Sequence, residues 1–262
     1  MCRPIVLLRL ALFVLVCGGA GARPHSVDTD SGAPDGAAAC QAAAMLQAAG
    51  WAQVFEITND RPDRHYPARF YATIFAFNDI LWFYTPSEGT ESLSIYEGQT
   101  EADRAELGPL LRQINPGFVA FRAVSHADLG RNADVLGSAG AEQTHWAPLA
   151  NGCFVESVHE LLRLQAAGIM LTEARVLLFY VRQGLGLKGH AVLVYATAGG
   201  HFGWDPAKPN HDRELPRFGA DTAALRVARA FLPDQLLPRL QRARFLPVKR
   251  LATAAINYAS HD

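Results

Sequence analysis

Lysine is scarce in this sequence: Lys188, Lys208 and Lys249 are the only three among 24 basic residues, so arginine supplies the other 21. With the alanine-rich stretches, this bias is the compositional mark of a GC-rich bacterial genome. Cysteine is scarce too. Cys2, Cys17, Cys40 and Cys153 are the whole set, too few for a small domain held by a disulfide framework. Histidines and acids match no strong zinc spacing. The nearest grouping, His201, Asp205, His211 and Asp212, is interrupted by Pro206 and Pro209, so no metal site is expected. There is no Gly-rich phosphate loop ending in Lys-Ser or Lys-Thr, and no Gly-x-Ser-x-Gly elbow. Neither a nucleotide cofactor nor any other cofactor is implied. The formal net charge is −1, which leaves no electrostatic reason to expect a nucleic acid partner.

What the sequence does have begins with a targeting pattern. Arg3 and Arg9 flank an apolar run that continues over 10–17, and Ala20-Gly21-Ala22 reads as a small-residue cleavage site. This is a secretory signal over 1–22, and its apolar run is shorter than the about 20 residues of a membrane span. An alternative lipid anchor at Cys17 has bulky Val16 before it, where a small residue is usual. Cleavage after Ala22 leaves 22 basic against 25 acidic residues, a net of −3. It also leaves Cys40 and Cys153 as the only cysteines, so a Cys40–Cys153 disulfide is one expectation for an exported chain. The expected location is secreted or periplasmic.

Residues 23–36 are rich in Gly, Pro, Ser and Asp and read as a flexible linker. A helix is expected over 37–49, stopped by Gly50. Strands are expected over 51–58, 68–77 and 80–85, the last two forming a hairpin at Asn78-Asp79, and a further strand over 92–96. An amphipathic helix over 101–114 ends at Asn115-Pro116, and 118–124 returns to strand. The region 37–125 thus reads as an antiparallel α+β unit. The polar, Gly-rich stretch 126–151 delivers the chain to Cys153. A helix follows over 154–167, then strands over 175–182, 189–196 and 201–204. Helices are expected at 220–231 and 234–243, giving a region 126–262 with a helical extension.

Cys153, His190 and Asp205 carry the chemistry. A cysteine in the first turn of a helix meets unpaired N–H groups and the positive end of the helix dipole, which favour the thiolate. The same N–H groups can hold an oxyanion, and Gly152 would let a substrate approach the backbone. His190 near the start of one strand and Asp205 at the end of the next face each other if the turn falls at Gly199-Gly200. Asp205 then orients the imidazole, which exchanges a proton with the thiol.

Three segments, Asn151-Gly152-Cys153-Phe154-Val155, Gly189-His190-Ala191-Val192-Leu193-Val194-Tyr195 and Gly203-Trp204-Asp205-Pro206, resemble the core of the transglutaminase-like, papain-like cysteine peptidase superfamily. The resemblance covers about residues 151–209. It implies an α+β fold in which the cysteine begins a helix packed on an antiparallel sheet. It also implies a Cys153 nucleophile, a His190 base and an Asp205 orienting carboxylate. Papain-like enzymes often carry a glutamine six positions before the cysteine, and here that position is Ala147. Gln143, His145 and Asn151 are candidate replacements for the oxyanion role, and Trp146 and Trp204 are candidate substrate walls.

The expected activity is an exported thiol hydrolase or acyltransferase acting on amide bonds, with a protein, peptide or cell-wall peptide as substrate. The alternative is an inactive binding or assembly module on the same fold. Between Arg217 and Arg250 eight basic residues face only Asp221 and Asp234. Either a solvated face or a weak contact with an anionic surface accounts for that excess.

Overall fold

The computed structural model describes residues 32–49, 51–78, 80–93, 107–124, 148–184, 186–218 and 223–248. The signal pattern lies outside them. Helix α1 (Gly32–Leu46) starts inside the stretch whose composition reads as linker; Pro34 sits in its first turn, where a missing N–H breaks no helical bond. Strands β1 (Ala52–Asn59), β2 (Arg69–Phe77), β3 (Ile80–Thr85), β4 (Gly89–Ser92) and β5 (Phe118–Val124) form an antiparallel sheet in the order β4-β3-β2-β1-β5. The expected β2–β3 hairpin is present, with Phe77 opposite Ile80 and Phe75 opposite Trp82. Asn78 takes a φ of +55° at its turn, a left-handed conformation that asparagine tolerates. Helix α2 (Leu107–Ile114) covers one face of this sheet through Leu107, Leu111 and Ile114.

Helix α3 (Cys153–Ala166) leads into the second sheet. Its strands β6 (Glu173–Gln183), β7 (Gly186–Thr197), β8 (Gly200–Trp204), β9 (Asp212–Leu215) and β10 (Leu240–Pro247) run antiparallel in the order β10-β6-β7-β8-β9. Short helix α4 (Ala224–Arg229) falls within the expected 220–231 helix. The helix expected over 234–243 does not form. Asp234–Arg239 is a 3₁₀ turn containing Pro238, and the chain then pairs with β6 as β10. Proline removes a helical donor. Beyond it, Ala243 and Phe245 pack inward while Arg242 and Arg244 are exposed, which is the two-residue period of a strand.

The two sheets share one core, so the 37–125 and 126–262 regions are packed together. Helix α3 lies between them. Phe75, Phe77, Trp82 and Tyr84 of the first sheet, Phe154, Val158 and Leu161 of α3, and Val176, Leu178, Leu193 and Tyr195 of the second belong to one buried cluster. Phe154 is central, with its ring centroid 4.4 Å from that of Trp82 and 5.9 Å from that of Phe77. The opposite face of the second sheet packs Leu177, Phe179, Val192 and Val194 against Val227 and Ala228 of α4. The fold class is α+β, as expected. Among the described residues, no helix is long and apolar enough to cross a membrane.

One buried acid gives the fold a pH dependence. Glu91 of β4 is 3% exposed, and Oε2 has no hydrogen-bond partner. Burial chiefly, with Glu88 adding, pushes its carboxyl from 4.5 up to about 7, while His65 opposes. A carboxyl raised in the folded state contributes stability that is complete below pH 4.5 and is lost as pH rises through 7. Urea unfolding should therefore show stability falling across this window by an amount on the order of 3 kcal/mol. In Glu91→Gln the fall should disappear.

Candidate active site

The β7–β8 hairpin turns at Gly199-Gly200, with Thr197 opposite Gly200 and Leu193 opposite Trp204. This register delivers Asp205, one residue past β8, to the start of β7. There His190 Nε2 lies 2.8 Å from Asp205 Oδ1. The Ala207 N–H also donates to Oδ1, at 2.9 Å. Burial, the largest influence, pushes the Asp205 carboxyl up. The His190 hydrogen bond and charge, the Ala207 N–H and Lys208 outweigh it, and the carboxyl ionises below its usual range. An ionised Asp205 holds the proton of a neutral imidazole on Nε2 and leaves Nδ1 as the base. Phe179, opposite His190 on β6, meets the imidazole edge-on with centroids 5.3 Å apart.

Cys153 opens α3, as expected, after Gly152 at the N-cap. No side chain caps this end, and the helix dipole is positive there. The Ala191 N–H donates to Cys153 Sγ at 3.2 Å. The preceding turn is tied to the first sheet. Tyr84 OH donates to the Ala150 carbonyl at 2.8 Å, and Asn151 Nδ2 donates to the carbonyls of Pro86 and Ser87 at 2.7 and 2.9 Å. Asn151, a sequence candidate for the oxyanion role, thus directs its donors to the backbone of the β3–β4 turn. A Cβ on Gly152 would overlap the Leu149 side chain. The glycine is needed to seat Leu149, a different reason from the substrate approach that the sequence suggested.

Cys153 is 2% exposed. Cys40 is free, so the expected Cys40–Cys153 bond is not formed. Cys40 packs in a separate cluster with Ala39, Val54 and Val124, and burial pushes its thiol up to about 11.

Glu156 belongs to this neighbourhood and was not singled out from the sequence. Its Oε1 accepts the Leu149 N–H at 2.7 Å, so it braces the turn before Cys153. Burial raises its carboxyl despite the opposing Leu149 hydrogen bond and His190 charge, and Asp205 adds to the rise. The signal in the sequence was an acid in the first turn of the cysteine helix, a position that the helix dipole favours.

His190 and Asp205 line a cavity of about 470 Å³ together with Phe179, Val181, Lys188 and the Phe231–Leu236 segment; Cys153 is not among its lining residues. Alternation along β7 explains the division. Ala191 faces the cluster that contains Cys153, whereas Val192 faces the opposite cluster with Phe179, and successive side chains of a strand point to opposite faces. The structure brings His190 and Asp205 into a hydrogen-bonded pair and brings the Cys153 sulfur to the adjoining backbone amide. Trp204 is largely buried in the shared core and donates from Nε1 to the Pro209 carbonyl at 3.1 Å. It is a packing residue among those described. Gln143, His145 and Trp146 lie outside the described residues. His159 Nδ1 lies 2.9 Å from the Met45 carbonyl, a structural role. Among the described residues, no three His, Cys, Asp or Glu side chains are grouped to hold a metal ion.

No protein-family model, curated protein or solved structure matches this chain.

Proposed function

We propose that this chain is an exported thiol-dependent hydrolase or acyltransferase acting on amide bonds, of the transglutaminase-like, papain-like kind. The observation that carries the reading is the 2.8 Å His190–Asp205 pair, one residue along β7 from the amide that donates to the Cys153 sulfur. Cys153 and His190 face opposite sides of β7, so in this scheme the start of α3 first turns the sulfur to His190 Nδ1; the thiol proton then passes to the imidazole, and the thiolate attacks the amide carbonyl. The C–N bond breaks as the imidazolium protonates the departing amine. Water or a second amine then attacks the thioester, giving its proton to the imidazole and restoring the thiol. Asp205 holds the tautomer and stabilises the imidazolium throughout. The expected substrate is a protein, peptide or cell-wall peptide.

The reaction requires Cys153 as a thiol. One observation favours the second reading, an inactive binding or assembly module: Cys153 is buried, and it does not line the cavity on which His190 opens. Alkylation with iodoacetamide after reduction separates the two. A reactive enzyme thiol should label with a midpoint well below the reference of about 8.5, and Cys153→Ala should remove both that label and any amide turnover. A thiol that labels only after unfolding would support the binding module and overturn the enzyme reading.

A further inference from the structure

We infer that the cavity beside His190 and Asp205 is a binding site for an amphiphilic anion: an apolar group of acyl size carrying a carboxylate or a phosphate. As a substrate class this rests on the reading above; as a binding site it stands without it. The charge of the lining is one-sided. Arg182, Lys188, Lys208, Arg213 and Arg239 contribute cations, and Asp205, engaged by His190, is the single acid among the described lining residues. Arg182, Lys208, Arg213 and Arg239 are exposed and take part in no ion pair among the described residues. Concave surfaces lined by one sign of charge focus the field and concentrate ions of the opposite sign.

The rest of the lining is apolar. Phe179, Val181, Phe231, Leu232, Pro233 and Leu236 form the other part of the wall. Phe231 is seated closely on β8, since a Cβ on Gly203 would overlap its ring, and the Arg213 guanidinium lies 6.0 Å from its centroid. A cation thus borders an apolar surface inside one cavity. A volume of about 470 Å³ falls within the roughly 300–1,000 Å³ of small-molecule sites. A bare inorganic anion would leave the apolar wall unused, and a neutral acyl group would leave Arg182, Lys208, Arg213 and Arg239 without an anion.

These cations come from separate parts of the chain. Arg182 lies near the end of β6, before Gln183, Lys188 near the start of β7, Lys208 before β9, Arg213 within β9, and Arg239 at the end of the 3₁₀ turn before β10. The surplus seen in the C-terminal sequence is one contributor, through Arg239.

Isothermal titration of the intact reduced chain with octanoate, octyl phosphate, octanol and octylammonium tests the inference. The two anions should bind at least about tenfold more tightly than the alcohol or the ammonium, and their affinity should fall as salt is raised. A difference between octanoate and octyl phosphate identifies the head group. The double variant Arg213→Ala/Arg239→Ala should weaken anion binding by about tenfold or more, as expected for lost charge-assisted hydrogen bonds. Arg182→Ala, on a different strand, supplies an independent variant should the double variant fail to fold. Octanol binding as tightly as the anions, or unchanged anion affinity in a folded variant, would overturn the inference. Anion binding that persists in Cys153→Ala, with no turnover by the native chain, keeps the site and removes the thiol-enzyme reading. Turnover of amides without anion binding does the reverse.

Discussion

Under the proposed function, Asp205→Ala should lower amide turnover of the reduced chain by about 10⁴-fold, the scale seen when a triad carboxylate is removed. Asp205 accepts from His190 Nε2 at 2.8 Å and from the Ala207 N–H at 2.9 Å. Both donors meet the same oxygen, Oδ1, so Asp205→Asn keeps an acceptor there, holds the ring proton on Nε2 and loses the charge alone; it should keep more turnover than the alanine variant. Nitrogen NMR of the imidazole reads this directly: Nε2 carries the proton in the native chain and in Asp205→Asn, and Asp205→Ala loses that preference. The change should also alter acid stability. The depressed Asp205 carboxyl contributes stability that is present above its unfolded pKa and lost as pH falls through its folded one. Denaturation curves of either variant should lack that component. Turnover that survives Asp205→Ala would remove this residue from the mechanism.

Phe154→Ala should cost about 3–5 kcal/mol, the range for removing a buried aromatic ring from a packed core. The ring is fully buried, one position after Cys153, and meets Trp82, Phe75 and Phe77 of the first sheet. Its helix packs on the second sheet through the same cluster. The cavity would therefore open at the junction of both sheets, where neither can collapse onto α3 without dragging the other. Chemical denaturation should show the loss in a single transition. Phe154→Leu, which keeps much of the volume, should recover part of it. Near-native stability of Phe154→Ala would mean that α3 is not the packing element between the sheets.

The strands over 51–85 and 173–204 were legible because aromatic and β-branched residues fill both faces of central strands while Gly and Asn mark the turns. The α3 start was legible from Gly152 and the apolar spacing that follows Cys153. The segment 234–243 was not. Leucines and arginines there fit a helical period, but Pro238 and the open edge of β6 decided for a turn and a strand. An available edge is a property of the assembled sheet, and no local window contains it. For Trp204 and Asn151 the residue type was compatible with a substrate role. Packing and the carbonyls of Pro86 and Ser87 assign them structural ones.

The sequence by itself determined the His190–Asp205 pair, because a two-stranded turn at Gly199-Gly200 sets their approach through local spacing. It also determined that Cys153 starts a helix, since the apolar period that follows it is local. Tertiary structure alone decided which way each group faces. Alternation along β7, anchored by burial on both sides of the sheet, sends Ala191 toward Cys153 and leaves His190 beside a basic cavity. The cavity's cations are far apart in sequence, and only strand pairing gathers them. The free Cys40 was likewise a tertiary outcome, because its helix buries it in a cluster apart from Cys153.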